Sequence, residues 1–333
     1  MAERKITIYD VAEKSGVSPA TVSRVLNEPD KVAADKKSRV LEAIKELDFV
    51  PKAAAVVAAR KLYKKICVVA PFFGQSSFME RLRGIESVLD NMRFEIVIYS
   101  IQNGEDLKSY IRTITTTNFT DGLILLSLRP DADSMELLRK ARFPVCFVEN
   151  FVDGFDNVVI QNDTGGWKAG EYLYAKGCRR PAFVGEKSDK SHNVPATDDR
   201  LRGFRSFFSE KNIDIPDERI CVGEFMEGGF DGKINSFLDG GNLPDCVFCS
   251  SDLVAVKFVS MAVSKGIKIP EEMKVLGFDD IDISKYMGLS SVSQSLDESG
   301  KMAAECVLNR LRNGGKSNFS VMVPINVVER KTT

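Results

Sequence analysis

Residues 6–28 (ITIYDVAEKSGVSPATVSRVLNE) constrain this chain more than any other stretch. Ile8, Val11 and Ala12 recur at i, i+3 and i+4, which gives a first short helix a buried stripe. Gly16 suits the left-handed residue that stops it. Ser18 is a good N-cap, and Pro19 directly after it has its φ preset and no N–H to satisfy. Val22, Val25 and Leu26 form a second stripe. A helical period then turns Ala20, Arg24 and Asn27 outward, with Thr21 and Ser23 on the flanks. A surface of small and hydroxyl side chains around one arginine can enter a major groove. Its hydroxyls can bond phosphates while the guanidinium addresses a guanine edge.

A third stripe at Val40, Leu41, Ile44 and Leu47 closes a small three-helix core, ended by Phe49, Val50 and Pro51. Residues 52–60 (KAAAVVAAR) combine helix formers behind a proline with an apolar surface all round. So short a helix is unstable alone in water. The segment is expected to be a hinge helix that orders against its twin in a dimer on DNA; a buried connector is the plainer alternative.

These residues resemble the LacI/GalR family of bacterial transcription regulators. The similarity runs through Thr7-Ile8-Tyr9-Asp10-Val11-Ala12, Gly16-Val17-Ser18 and Thr21-Val22-Ser23-Arg24-Val25-Leu26-Asn27, then Val40-Leu41, Ala43-Ile44 and Pro51. It implies DNA contacts from Thr7, Tyr9, Ser18, Pro19, Ala20, Thr21, Ser23, Arg24, Asn27 and Lys31. It also implies a hinge side chain wedged into the minor groove. The family's leucine at that position is Ala58 here, a poor wedge, unless Val57 takes its place by a register shift.

Charge is divided in the same way. Residues 1–65 hold 14 Lys and Arg against 9 Asp and Glu, a charge of +5, and the remainder carries −6. A basic end on an acidic body suits a phosphate-binding headpiece and a separate soluble core. The sequence shows no N-terminal apolar leader and no run of membrane length, so a cytoplasmic, nucleoid-associated protein is expected.

From residue 66 onward, short apolar runs (66–70, 94–99, 122–127, 145–149, 182–185, 246–249 and 274–278) alternate with amphipathic stretches near 78–91, 105–117, 134–141, 166–176, 200–211, 252–265 and 296–313. That alternation predicts an α/β body of doubly wound parallel sheets. The expected organisation is a helix-turn-helix headpiece (1–50), a hinge and linker (51–65) and a two-lobed, periplasmic-binding-protein-like core (66–333). The first lobe would take 66–162 and 292–318, and the second 163–291 and 319–333.

Ligands of open α/β sheets lie beyond the strand C-termini. Phe72 and Phe73, Ser250 to Asp252, and Asp279 with Asp280 occupy such positions. Apolar faces beside carboxylates and hydroxyls suit a sugar, although Asp252 could equally be a helix N-cap. The resemblance extends here. Arg200-x-x-Gly203-Phe204 looks like the family's effector-holding Arg motif. Gly277-Phe278-Asp279-Asp280, Gly223-Glu224-Phe225 and Ser251-Asp252 look like its other pocket segments, and Ser291-Val292-Ser293-Gln294 resembles its strand that crosses between the lobes. Asn162-Asp163 reverses the usual order. The effector set implied is Phe72, Phe73, Asp163, Arg200, Phe225, Ser251, Asp252, Asp279 and Gln294.

Enzymatic chemistry finds little support. No G-x-G-x-x-G follows a strand, and Gly315-Lys316-Ser317 lacks the first glycine of a phosphate loop, where Arg310 stands. The single histidine, His192, sits in a polar run and is expected to be exposed. The seven cysteines fall mostly in apolar runs and are expected to be reduced; Cys246-x-x-Cys249 has no second pair. No catalytic residue, metal or cofactor is expected. The reading is a DNA-binding regulator, in the sense of a repressor, acting as a homodimer on a pseudo-palindromic operator under a small-molecule effector. A sugar is the first choice; a nucleobase or a phosphoprotein co-regulator is the alternative.

Overall fold

A computed structural model describes residues 6–27, 32–47, 49, 63–71, 76–117, 119–186, 192–224, 229–313 and 318–333. The chain divides into two compact units. One comprises residues 1–65 with 119–121, and the other comprises the rest.

The first unit contains α1 (Ile8–Ser15), α2 (Pro19–Asn27) and α3 (Ala34–Glu46). The Asp10 carboxylate accepts the Thr7 amide at 2.7 Å and its hydroxyl at 2.6 Å, fastening the start of α1. Gly16, at φ 64°, ends the helix as expected. Ser18 accepts the Thr21 amide at 3.2 Å and so caps α2. Val11, Ala12, Val22, Val25, Val40 and Ala43 form the buried core, with Ile44 and Leu47 packed against it. Leu41, expected on that stripe, is instead half exposed. A helical period cannot bring the adjacent residues 40 and 41 onto one narrow face, and Ala43 takes the place.

The second unit holds two six-stranded sheets. The first has the order β11-β5-β4-β3-β1-β2 and the second β12-β10-β9-β8-β6-β7. The strands are β1 (Lys65–Pro71), β2 (Glu95–Ile101), β3 (Gly122–Leu126), β4 (Val145–Val148), β5 (Asp156–Val159), β6 (Pro181–Glu186), β7 (Ile220–Gly223), β8 (Cys246–Cys249), β9 (Lys274–Asp279), β10 (Ser290–Ser293), β11 (Ser320–Met322) and β12 (Asn326–Val328). β10 and β12 pair antiparallel, whereas β1–β3, β3–β4, β6–β8 and β8–β9 are all parallel. β1 after Lys65, β3 and β4 are apolar and buried, as strands covered on both faces must be.

Around the first sheet lie α4 (Ser76–Leu89), α5 (Gly104–Thr117), α6 (Ala132–Arg139) and α12 (Leu296–Asn313). The second sheet is flanked by α7 (Asn162–Ala175), α8 (Ala196–Glu210), α9 (Gly229–Leu238), α10 (Asp252–Ser264) and α11 (Asp282–Met287). All seven expected strands are present. The expected lobe boundaries move at two places: Val292 and Ser293 stay with the second sheet in β10, and Ser320–Met322 pairs with Asn157–Val159 of the first sheet rather than belonging to the second. The chain therefore makes its last crossing between β11 and β12 rather than before residue 319.

Two helix pairs cross with backbone against backbone, one in each lobe. A Cβ on Gly84 of α4 would lie 1.9 Å from the Asp297 carbonyl oxygen of α12, and one on Gly300 would lie 2.0 Å from the Arg81 carbonyl oxygen. In the second lobe, a Cβ on Gly166 of α7 would lie 1.9 Å from the Arg200 carbonyl oxygen, and one on Gly203 of α8 would lie 1.8 Å from that of Asp163. Only glycine permits backbones this close.

His192 is buried rather than exposed. Its carbonyl accepts the Arg129 amide at 2.7 Å, and Asn193 bridges to Leu128, so this end of the polar run is built into the core. All seven cysteines are free and buried. Cys246 faces Cys178 rather than forming a motif with Cys249. Donor atoms of Cys178, Asp245 and Cys246 lie within 4.8 Å of one another, but Asp245 already accepts the amides of Arg179 and Arg180. Among the described residues no helix is long and apolar enough to cross a membrane.

Candidate functional site

In the first unit, α2 presents Ala20 and Arg24 to solvent, with Thr21 and Ser23 half-buried on the flanks. Arg24 has no hydrogen-bond or ion-pair partner among the described residues. Ser18 is exposed and Pro19 half-buried, and the Ser18 and Thr21 hydroxyls lie 2.9 Å apart. Thr7 is exposed, and Tyr9 is 71% exposed despite its aromatic ring. Each of these side chains is therefore at least partly open to solvent. Lys31, Val57, Ala58 and the hinge segment lie outside the described residues, as do Phe72, Phe73, Phe225 and the Gly315-Lys316-Ser317 run; the Asn27 side chain is likewise not described.

In the second unit, buried polar side chains converge between the two sheets. Arg200 donates from Nε to Asn162 Oδ1 (2.8 Å), from Nη1 to the Ser250 carbonyl (2.6 Å) and from Nη2 to Glu149 Oε1 (3.4 Å). Its guanidinium also lies 3.7 Å over the Phe278 ring, with Asp279 Oδ1 at 3.8 Å. Arg81, from α4, donates from Nη1 to Glu149 Oε2 (3.0 Å) and Ser127 (3.2 Å), from Nη2 to Gln294 Oε1 (2.8 Å) and from Nε to Ser299 (3.3 Å). Gln294 then donates to Asp279 Oδ1 at 2.5 Å. The Ser127 hydroxyl and the Asn162 amide complete the shell of Glu149.

The charges are balanced: two guanidiniums face Glu149 and Asp279. Burial raises the Glu149 carboxyl, but Arg81, Arg200, Ser127 and Asn162 outweigh it and hold the group at about 2. Burial pushes Asp279 up to about 6 against the pull of Arg200. Four side chains here sit on left-handed backbone: Ser127 (φ 54°), Glu149 (φ 67°), Asp279 (φ 115°) and Asp280 (φ 58°). Each costs on the order of 1–3 kcal/mol, a strain that clusters where geometry serves function.

The structure thus brings Arg200, Asp279 and Gln294 together. Two residues of the expected effector set lie elsewhere. Asp163 is exposed and turns its carboxylate onto the Thr164 amide, whereas its neighbour Asn162 enters the cluster. At the first turn of α7, a step of one residue rotates a side chain by about 100°, so the reversed Asn-Asp order still points the buried position at Arg200. Asp252 is fully buried and accepts from the Ile281 amide (3.0 Å) and from the Ser284 and Ser291 hydroxyls (2.6 Å each), so it braces α10 to β10 and α11. Ser251, not Asp252, caps α10, accepting the Val254 amide at 3.3 Å.

Arg81, Glu149 and Asn162 were not expected. Glu149 follows β4 just as Asp279 ends β9, so the strand-end rule reaches it. The signal for Arg81 is stronger: Arg-Leu-Arg-Gly occurs at 81–84 and again at 200–203. Arg81 also stands on the apolar face of α4 with Phe78, Leu82 and Ile85, where a charge must have a buried partner. A groove of about 560 Å³ lies apart from this cluster, along Arg202, Arg205, Ser206 and Ser209 of α8, and Arg205 is paired there with Asp217.

Residues 7–52 match the family described as bacterial regulatory proteins, lacI family, and residues 171–333 match the periplasmic binding protein-like domain. The chain belongs to the LacI/GalR family of transcription regulators. Its similarity to a curated relative, the HTH-type transcriptional repressor CytR of Escherichia coli strain K12, is 28% identity over 337 residues, 99% of this chain and 97% of the relative. Among solved structures, the lac repressor dimer bound to operator and the anti-inducer ONPF matches at TM-score 0.80 and 22% identity over 99% of each chain. A complex of the regulator CelR with cellobiose matches at TM-score 0.71 and 23% identity, over 98% of this chain and 100% of that one. These two likenesses establish the shared fold. As a LacI/GalR-family member the chain is a DNA-binding regulator of transcription under small-molecule control, not an enzyme.

Proposed function

We propose that the chain is a repressor that binds a pseudo-palindromic operator as a homodimer and releases or grips it according to a small molecule in the cleft between its lobes. The observation that carries the reading is the pairing of an exposed arginine on a capped recognition helix with a buried polar cluster joining two α/β lobes. Arg24 would read a base edge while Thr7, Tyr9, Ser18, Pro19, Ala20, Thr21, Ser23, Asn27 and Lys31 bond or approach the backbone and groove. Val57 or Ala58 of each hinge would approach the minor groove. Two-fold pairing would present two such helices to two half-sites. The work is done on DNA, hence in the cytoplasm and at the nucleoid.

For the effector we take a sugar or sugar derivative, bonded by Arg200, Asp279 and Gln294; Phe72, Phe73, Phe225 and Ser251 remain part of the proposed lining. Carboxylate and amide groups at strand ends beside a helix-borne guanidinium are what a polyhydroxy ring requires. A nucleobase would use the same carboxylate and amide. Mobility-shift titration against fragments of the source genome, repeated with sugars and nucleobases, tests both halves. Saturable binding to a symmetric site that one such compound modulates is the expected result. Indifference to every duplex at low ionic strength overturns it.

A further inference from the structure

The repeated Arg-Leu-Arg-Gly run places one arginine per lobe at a glycine-tight helix crossing, and both arginines converge on the carboxylate of Glu149. Each Glu149 oxygen has two donors: Arg200 and Asn162 on Oε1, Arg81 and Ser127 on Oε2. All three nitrogens of each guanidinium are likewise engaged within the protein. The carboxylate lies where an anionic ligand gripped by two arginines would lie, and it is part of the chain. Of the cleft's other ionisable groups, Asp279 is a carboxylate, and Glu186 is near enough for Asp279 to raise its pKa further, after burial. An arriving anion therefore meets neutralised arginines and an acidic remainder, whereas a hydroxyl or amide donor meets acceptors.

We infer that Glu149, held by Arg81 and Arg200, makes the cleft a charge filter that admits an uncharged, hydroxyl- or amide-bearing effector and rejects a phosphorylated or carboxylated one. The inference rests on the reading of this cleft as the effector site. It assigns Arg81 as a positioning residue that fixes Glu149 and, through Gln294, reaches Asp279.

The test is calorimetric titration of the full chain with ribose, glucose, cellobiose, adenosine and cytidine, each beside a phosphorylated or carboxylated counterpart such as ribose 5-phosphate, glucose 6-phosphate, gluconate or cytidine monophosphate. At least one uncharged compound is expected to bind, and its anionic counterpart to bind about tenfold or more weakly. Glu149→Gln leaves both arginines without their shared anion and is expected to shrink that gap by about tenfold or reverse it. If Glu149→Gln fails to fold, the double variant Arg81→Met/Glu149→Gln, which restores charge balance, is expected to keep the preference for the uncharged member. Anions binding as tightly as their uncharged partners, no uncharged compound binding at all, an unchanged gap in folded Glu149→Gln, or a reversed preference in the double variant would each overturn the inference. Failure of the unmutated chain to bind DNA, scored separately by mobility shift, would instead count against the regulator reading and leave the charge filter intact.

Discussion

Asp252→Asn is expected to remove about half of the pH dependence of stability between about pH 4 and 7. The Asp252 side chain is fully buried, and burial, with Asp279 adding to it, pushes its carboxyl up to about 7 from the ordinary 3.8. In that window the folded protein holds a proton that the unfolded chain has released. Stability therefore falls as pH rises through it, and the loss is complete above the folded value. At about 1.4 kcal/mol per tenfold, the displacement from 3.8 to about 7 amounts to about 4 kcal/mol. Asp279, raised to about 6, adds about 3 kcal/mol in the same direction. Glu149 works the other way, but its contribution is lost only as pH falls from its ordinary 4.5 through about 2. The unmutated protein should thus be more stable at pH 5 than at pH 8. An amide at position 252 copies the neutral carboxyl: its oxygen accepts from Ile281 and Ser284, and its NH2 donates to Ser291. Denaturant unfolding at a series of pH values, unmutated against variant, measures the slope. Parallel curves for the two proteins would show that Asp252 is not a titrating brace between α10, β10 and α11. Loss of the effector response in the variant would return Asp252 to the ligand set.

Three further outcomes are expected. Arg24→Ala should weaken operator binding by about 1–3 kcal/mol and relax base choice at one position of each half-site, as read by competition mobility shifts; uniform weakening on all sequences would make Arg24 a phosphate contact. Asp279→Asn should leave operator binding in place and abolish the effector response in the same assay; a normal response would move the pocket elsewhere. Gly300→Ala should lower the unfolding free energy by about 1–3 kcal/mol or more, read as an earlier denaturant midpoint, because the added methyl meets the Arg81 carbonyl at 2.0 Å, whereas Gly241→Ala, with nothing within 4 Å, should change little.

Local chemistry made the headpiece readable. Val11, Ala12, Val22 and Val25 are buried where their period places them, and Gly16 and Ser18 end and begin helices as their backbone preferences dictate. The seven strands that surfaced in the sequence are those with continuous apolar runs. β5 (DNVV), β7 (ICVG), β11 (SVM) and β12 (NVV) are three or four residues long, too short for any period to emerge. Short length also hid the pairing that keeps Ser320–Met322 in the first sheet and delays the last crossing, since that pairing depends on a partner more than 150 residues away. In the cleft, Arg200, Asp279 and Gln294 were accessible through family motifs. Asp163 and Asp252 were misplaced because a motif fixes residue identity and not the direction of a side chain. His192 was misjudged for a related reason: the polarity of its neighbours says nothing about the backbone bond from Arg129 that carries it inward.

The duplicated Arg-Leu-Arg-Gly run bears on how such a cleft can act as a switch. The lobes are joined by Arg81 to Gln294 to Asp279 and by Glu149 to Arg200 and Asn162. An effector that engages these same groups must exchange with some of these bonds while others persist. A ligand moves a conformational equilibrium only by its difference in affinity between the two states. A compound that replaces one lobe-to-lobe bond with an equivalent one therefore shifts nothing, however tightly it binds. One that engages Asp279 and Gln294 while displacing the Arg81 link would separate the lobes' two anchors and change their relative stability. Differences of about 1–3 kcal/mol are enough for physiological control, and a single charge-assisted hydrogen bond supplies that much. Measuring the effector response of Arg81→Lys, which keeps the charge but cannot reach Ser299, Glu149 and Gln294 at once, isolates the contribution: retained affinity with a diminished effect on operator binding is the expected signature, and an undiminished effect would place the switch outside this network.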